Sequence, residues 1–122
     1  MPDKKILLVD DEQDLIKMNK IRLVGLGYSV ITANDGEEAL DKASKENPDL
    51  VLMDLTMPKM NGLETLSKLK DDPKTAAIPV IMLTGIGDRA EIAKAKLMGA
   101  CDYILKPFNS DALLESLKKH IS

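Results

Sequence analysis

The sequence predicts an α/β fold built on a parallel sheet of five strands. Four apolar runs, residues 5–9, 50–54, 80–83 and 103–105, stop abruptly at or just before a polar residue. Short apolar runs of this kind are typical of strands buried on both faces. A fifth segment, Ser29–Ala33, alternates more regularly, which indicates an edge strand covered on one side. A helical pattern follows each strand, and this alternation predicts right-handed crossovers with helices on both faces of the sheet.

The first helix is predicted over residues 10–27, with acids at its positive end and glycine at its C-terminal cap. Four apolar residues share one side of it: Leu15, Met18, Leu23 and Leu26. However, Asn19 and Arg22 fall among them, while Ile21 and Val24 fall outside. Either the helix is rotated from this expectation, or some of its apolar side chains are exposed for a partner.

Four further helices alternate with the remaining strands. They are predicted over residues 37–46, 63–71 and 88–98, and from a cap at Asn109 or Ser110 onward. Asn47–Pro48 ends the first of these helices, and Gly99 ends the third. Four apolar residues of the last helix are expected to face inward: Leu113, Leu114, Leu117 and Ile121.

The natural candidate for the strand order is 2-1-3-4-5, the flavodoxin-like arrangement. In that order the first and third strands are neighbours at the switch point of the sheet, and all carboxyl ends of the strands lie on one edge. Five polar residues at or just after strand ends are therefore expected to converge: Asp10, Asp11, Asp54, Thr84 and Lys106.

Composition and net charge limit the classes of protein to which this chain can belong. A chain of 122 residues that is 44% hydrophobic is expected to form one domain, residues 1–122, with a proper core. The single Cys101 excludes an intrachain disulfide and favours a reducing cytoplasm. No signal peptide or membrane span is recognisable in the sequence. A net charge of -3, with two Tyr, one Phe and no Trp, argues against nucleic acid, so proteins are the expected partners.

Carboxylates brought together at one edge of the sheet repel one another and call for a cation. Oxygen ligands without His or Cys select a hard ion, and one or two carboxylates with waters suit Mg²⁺. A phosphoryl oxygen commonly completes such a shell, and Lys106 and Thr84 can bind one. Asp54 is then left as the nucleophile, so the expected reaction is phosphoryl transfer to the protein itself.

The motifs around these residues resemble the receiver domains of two-component response regulators, along the whole chain. Three segments carry the resemblance: Leu-Leu-Val-Asp-Asp-Glu, Met-Asp-Leu-Thr-Met-Pro-Lys-Met-Asn-Gly and Gly-Ala-Cys-Asp-Tyr-Ile-Leu-Lys-Pro-Phe. Asp10–Asp11, Asp54, Thr84 and Lys106–Pro107 match the five-part pattern of that family. Together these motifs are highly specific, whereas each alone carries little weight.

The resemblance implies that Asp54 accepts phosphate from a phosphohistidine on a sensor kinase or a phosphotransfer protein. It also implies a set of ligands for Mg²⁺: Asp11, Asp54, the main-chain carbonyl of Thr56 and, through water, Asp10. Lys106 and Thr84 would bind the phosphoryl group, and Lys106–Pro107 resembles the cis peptide bond of the family.

The resemblance further implies a conformational switch. Tyr103 would turn inward when Thr84 shifts, and the fourth helix, fifth strand and fifth helix would then present a changed face to a downstream protein. The kinase would dock near the first helix and the loop after Lys106. Two positions, Thr56 and Ile86, flank the expected path of attacking water and are expected to tune the lifetime of the phosphoryl group.

Rival functions remain open at this point. A haloacid-dehalogenase-like phosphatase would need Asp-x-Asp after the first strand, where this chain has Asp10-Asp11-Glu12. A flavin-binding module would need a loop that accepts a bare phosphate, which these acids repel. A third rival is a phosphorylation-independent binding module.

If the chain is a receiver, three alternatives remain for its role: a stand-alone regulator, a phosphorelay intermediate or a piece of a longer protein. The expected state is a monomer or weak dimer that catalyses only its own phosphorylation and dephosphorylation. Cys101 is expected to be a small buried apolar residue, and His120 is assigned no catalytic role.

Overall fold

The computed structural model describes residues 4–55, 62–85, 89–106 and 108–121. Strands and helices alternate along the chain. In order they are β1 Lys5–Val9, α1 Gln13–Gly25, β2 Ser29–Ala33, α2 Gly36–Glu46, β3 Leu50–Asp54, α3 Gly62–Asp71, β4 Val80–Thr84, α4 Arg89–Leu97, β5 Asp102–Leu105 and α5 Ser110–Ile121. The predicted α/β class is therefore confirmed.

The five strands form one parallel sheet in the order β2-β1-β3-β4-β5, as the sequence predicted. β1 and β3 pair side by side, with Val9 opposite Met53. The residues that follow these two are Asp10 and Asp54, so the topology brings two acids distant in sequence to the same edge.

The sheet separates two apolar layers. One layer packs α2, α3 and α4 against Leu7, Val9 and Met53, among other residues. The other packs α1 and α5 against the opposite face of the sheet, including Leu8 and Leu52. Because β1, β3 and β4 are buried on both faces, their apolar runs carry no alternation, whereas the edge strand β2 is only partly buried.

The helix ends follow local side-chain chemistry. The carboxylate of Asp35 accepts from the N–H of Glu38 at the start of α2, and Asn47 ends this helix in the left-handed region at φ 52°. At the start of α5 the side chain of Asn109 accepts from the N–H of Ala112 at 2.8 Å. Of the two residues predicted to cap α5, Asn109 or Ser110, the cap is therefore Asn109.

Helix α1 is rotated from the predicted face. Its buried residues are Ile16, Asn19 and Leu23, whereas Met18, which was expected to face inward, is exposed. Ile21 and Val24 are also exposed, which leaves the predicted role of such side chains in binding a partner untested. The rotation could not be predicted because apolar residues lie on all sides of this helix.

Three smaller expectations are corrected. Cys101, in the short segment that leads into β5, is exposed and not buried. α4 ends at Leu97, one residue before the predicted end, and β5 begins at Asp102, one residue before its predicted start.

Within the described part of the chain, no helix is long and apolar enough to span a membrane.

Candidate functional site

Main-chain hydrogen bonds fix the ends of the strands that carry the acids. The N–H of Asp10 donates to the carbonyl of Ala33 at 3.2 Å, which extends β1 by one residue beside β2. Just after β3, the N–H of Leu55 donates to the carbonyl of Leu83 at 3.0 Å. The backbones of Asp10 and Asp54 are therefore held by the sheet itself.

Three carboxylates converge at this edge. Asp10, Asp11 and Asp54 each offer one oxygen, and these oxygens lie within 4.8 Å of one another. Asp10 is only 1% exposed and Asp54 is also buried, while Asp11 faces solvent. One oxygen of Asp10, Oδ1, accepts from the N–H of Glu12 at 3.1 Å; the other, Oδ2, has no partner among the described residues.

The pKa of Asp10 is raised at this position. Desolvation by burial raises the pKa of its carboxyl to about 6, and the nearby carboxylates of Asp54 and Asp11 act in the same direction. The hydrogen bond from Glu12 and the charge of Lys106 oppose this rise. A buried carboxyl with an unpartnered oxygen beside two other carboxylates is a suitable ligand set for a hard divalent cation such as Mg²⁺.

Lys106 brings a positive charge into the same site. Its Nζ lies 3.2 Å from Oδ1 of Asp54, and its side chain is mostly shielded from solvent. The residue follows β5, and its N–H donates to the carbonyl of Thr84 at 2.7 Å. The sheet edge thus fixes a cation next to the carboxylate at the end of β3.

Thr84 ends β4, directly beside β3. It is 1% exposed, and its hydroxyl Oγ1 has no hydrogen-bond partner in the part of the chain that the structure describes. A buried hydroxyl without a hydrogen-bond partner lowers stability. A bound ligand or a movement of Thr84 could supply that partner.

Tyr103 lies on β5, where it pairs with Met82 of β4. Its ring is half-buried, packs against the layer formed by α2, α3 and α4, and has Nζ of Lys96 at 4.7 Å from its centroid. Three residues singled out by the sequence, Thr56, Ile86 and Pro107, lie outside the described residues.

Gly62 is a residue of the site that sequence reasoning missed. It begins α3, is buried, and donates its N–H to the carbonyl of Leu55 at 2.8 Å. A side-chain carbon at Gly62 would lie 2.7 Å from the carbonyl oxygen of Asp54, so only glycine fits. Only the Met-Pro-Lys-Met-Asn-Gly motif could have pointed to this position.

Asp102 anchors a second polar cluster, also missed, at the start of β5. Its Oδ2 accepts from Oγ of Ser116 at 3.2 Å and lies 3.1 Å from Nε2 of His120. Burial works to raise the pKa of Asp102, but hydrogen bonds from Tyr103 N–H, His120 and Ser116 outweigh it, so its pKa lies below the ordinary value. His120 therefore ties the last turn of α5 to the sheet.

Known proteins show the class to which this fold and site belong. Residues 6–118 match the family model of the response regulator receiver domain. The chain belongs to this family, whose members are switches of two-component signalling with an acidic, Mg²⁺-binding site.

The chain is similar in sequence to two bacterial transcriptional regulatory proteins. The chain is 41% identical over 107 residues to the alkaline phosphatase synthesis transcriptional regulatory protein PhoP of Bacillus subtilis, covering 88% of this chain and 44% of PhoP. It is 43% identical over 114 residues to the transcriptional regulatory protein CpxR of Escherichia coli, covering 93% of this chain and 47% of CpxR. The chain thus spans less than half the length of these curated relatives.

Solved structures agree on the fold. The chemotaxis protein CheY4 of Vibrio cholerae superposes with a TM-score of 0.91 at 34% identity, covering 98% of this chain and 99% of CheY4. The receiver domain of the sensor histidine kinase PA1611 from Pseudomonas aeruginosa, which has a magnesium ion coordinated in its active-site cleft, superposes with a TM-score of 0.90. That comparison is at 28% identity and covers 98% of both chains.

Proposed function

We propose that Asp54 accepts a phosphoryl group from a phosphohistidine, on a sensor histidine kinase or a phosphotransfer protein, in a Mg²⁺-dependent reaction. One observation carries the proposal: three carboxylates converge within 4.8 Å, with Lys106 at 3.2 Å from the Asp54 carboxylate. The phosphorylated domain then controls a downstream protein.

The transfer exchanges one bond for another. An oxygen of Asp54 supplies the electron pair that forms the new P–O bond, while the P–N bond to the donor imidazole breaks and its electron pair returns to nitrogen. The protein contributes mainly position and charge, because such transition states are loose and spread negative charge over the phosphoryl oxygens.

Mg²⁺, when bound, neutralises part of the charge on the acidic cluster and on the phosphoryl oxygens. Asp11 and Asp54 would hold it directly and Asp10 through water, and the family resemblance adds the main-chain carbonyl of Thr56. The unpartnered Oδ2 of Asp10 supports this assignment.

Lys106 and Thr84 are the phosphoryl-binding residues of the proposal. Lys106 now pairs with Asp54, and after transfer its ammonium group is placed to bind a phosphoryl oxygen instead. The buried hydroxyl of Thr84, which has no partner among the described residues, would gain one by donating to the same group.

The readout is assigned to the face formed by α4, β5 and α5, with Tyr103 as its moving side chain. Leu97 at the end of α4 and Leu105 at the end of β5 are exposed apolar residues on these elements. An exposed apolar patch of this kind is suited to a protein partner.

The phosphodonor protein is assigned to α1 and the segment after Lys106. Exposed Met18, Ile21 and Val24 on α1 support this assignment, as does a cavity of about 380 Å³ lined by residues of α1 together with Lys106 and Phe108. The cavity reaches the same lysine that contacts Asp54, so a docked donor would lie close to the acceptor.

The lifetime of the phosphoryl group is assigned to Thr56 and Ile86, because the family resemblance implies that these two positions flank the path of attacking water. Apolar Ile86 is proposed to slow hydrolysis by excluding water. Ile86→Asn should therefore shorten the lifetime of the phosphorylated protein in a dephosphorylation time course, and an unchanged rate would count against this role.

Incubation with acetyl phosphate, with and without Mg²⁺, tests the proposed function directly. The intact mass should gain one phosphoryl group only with Mg²⁺, and Asp54→Asn should abolish the gain. Asp41→Asn makes the same chemical change on the exposed surface of α2 and should leave it intact. No adduct under either condition would favour a phosphorylation-independent binding module.

A further inference from the structure

Lys96 on α4 makes a contact that the proposed phosphoryl chemistry does not use. Its Nζ lies 4.7 Å from the centroid of the Tyr103 ring, within the range of a cation–π interaction. Lys96 is exposed, and no ion pair between described residues involves it. In the part of the chain that the structure describes, the ring of Tyr103 is therefore the group that this ammonium contacts.

Tyr103 and Thr84 lie on the same face of the sheet. Tyr103 pairs with Met82, and Thr84 pairs with Leu105, so the tyrosine and the threonine are diagonal neighbours on adjacent strands. With strands about 4.8 Å apart and a rise of about 3.3 Å per residue, their Cα atoms are roughly 8 Å apart.

We propose that Lys96 is a positioning residue that holds the Tyr103 ring in its half-exposed orientation while Asp54 is unphosphorylated. The inference rests on the proposed function, because it assumes that Tyr103 turns toward Thr84 in the phosphorylated state. Lys96 stabilises only the half-exposed orientation of the ring. It therefore determines how strongly the unphosphorylated protein favours the inactive state.

The size of the effect follows from the strength of the contact. A cation–π interaction at an exposed site changes a two-state equilibrium by about two- to fivefold. A ligand that binds only the minor state gains apparent affinity in proportion to the population of that state. Removing the Lys96 charge should therefore make the active state easier to reach by the same factor.

A single-tyrosine protein can report on this equilibrium. The chain has two tyrosines and no tryptophan, so Tyr28→Phe leaves Tyr103 as the only tyrosine. Titration with Mg²⁺ and beryllium trifluoride, a stable mimic of a carboxyl-bound phosphoryl group, should change the fluorescence of Tyr103. Lys96→Gln in this background should lower the midpoint by about two- to fivefold.

Two control variants separate the contact from net charge. Lys96→Arg keeps a cation that can lie over the ring, so its midpoint should match that of the parent protein. Lys94→Gln removes the same charge about 200° around the axis of α4 and should not lower the midpoint. An unchanged midpoint in Lys96→Gln, or an equal decrease in Lys94→Gln, would overturn the proposal.

A double-mutant cycle tests the contact independently of phosphorylation. Lys96→Gln should destabilise the protein with Tyr103 present and have no effect when Tyr103 is replaced by leucine. Absence of this coupling would overturn the inference even if the midpoints differ. If the wild-type protein forms no adduct at all, intact mass shows that the proposed function fails, and the regulatory role of Lys96 fails with it.

Discussion

Gly62 lies so close to the strand end that carries Asp54 that no side chain fits between them. A carbon placed at its Cβ position would lie 2.7 Å from the carbonyl oxygen of Asp54 and 2.8 Å from the Cα of Leu55. The first residue of α3 therefore determines where the nucleophile of the proposed reaction can lie.

Replacing Gly62 by alanine should disturb both stability and chemistry. The neighbouring atoms belong to the backbone, so β3 or α3 must shift, and overpacking of this kind costs about 1–3 kcal/mol. The shift should slow phosphorylation by acetyl phosphate roughly tenfold or more. Urea unfolding and the time course of the mass adduct measure the two effects.

Gly25→Ala is the matched control, because a Cβ at that position meets nothing within 4 Å. It should leave the adduct rate unchanged and keep or slightly raise stability, since alanine favours a helix over glycine by about 1 kcal/mol. If Gly62→Ala and Gly25→Ala had the same stability and the same adduct rate, the close approach of Gly62 to the backbone of Asp54 would have no effect on either quantity.

Asp10 should destabilise the metal-free protein near neutral pH. Its pKa is raised from 3.8 to about 6, so as pH rises the unfolded chain loses this proton first, and stability falls between those two values. A rise of about two pKa units corresponds to roughly 3 kcal/mol. In EDTA, Asp10→Asn should therefore be the more stable protein at about pH 7.5, and nearly equal to wild type near pH 3.5.

Addition of Mg²⁺ should reverse the order of stability at neutral pH. The ion binds the native acidic cluster and stabilises wild type, whereas Asp10→Asn has lost one of the charges proposed to hold it. Thermal denaturation with EDTA or excess Mg²⁺ makes the comparison. Equal response of both proteins to Mg²⁺ would remove Asp10 from the proposed ligand set.

Asp102 should show the opposite dependence on pH. Its pKa is below 3.8 in the fold, so its contribution to stability is present above that value and is lost as pH falls through the lower, folded pKa. Asp102→Asn should lower the free energy of unfolding by about 1 kcal/mol at neutral pH, a difference that disappears in acid. Ser116→Ala, which removes one hydrogen bond and no charge, should not reproduce this pH dependence.

Asn19 should be replaceable by leucine with a gain in stability. It is 4% exposed, its Oδ1 has no hydrogen-bond partner among the described residues, and it borders the cavity beside α1. Removing a buried unsatisfied acceptor should add about 1–2 kcal/mol to the free energy of unfolding. As a control, Ile21→Gln at a position 74% exposed should change stability by less than about 0.5 kcal/mol. A loss of stability in Asn19→Leu would contradict this expectation.

The fold could be predicted from the sequence because the strands carry strong local signals. The runs ending at Val9, Asp54 and Leu83 are apolar on both faces, as parallel strands require, and their order follows from topology rules. Strand order in turn predicted that Asp10 and Asp54 are neighbours.

Other contacts depend on rotations and approaches that no local pattern encodes. The orientation of α1 could not be predicted, because Asn19 is buried while Ile21 is exposed. The approach of Gly62 to Asp54 depends on how α3 enters the structure, and the contact of His120 with Asp102 depends on the rotation of α5. The sequence predicted which side chains converge at the edge of the sheet, but not the residues that position the backbone around them.

Cys101, exposed in the segment that leads into β5, is a site for chemical labelling of the domain. It is the only cysteine of the chain and lies two residues before Tyr103, so a maleimide dye would attach at one point, next to the proposed switch. Desolvation, reinforced by the charge of Asp102, raises the pKa of the thiol, so coupling will be faster above neutral pH. A labelled protein could then report partner binding without removal of any other thiol.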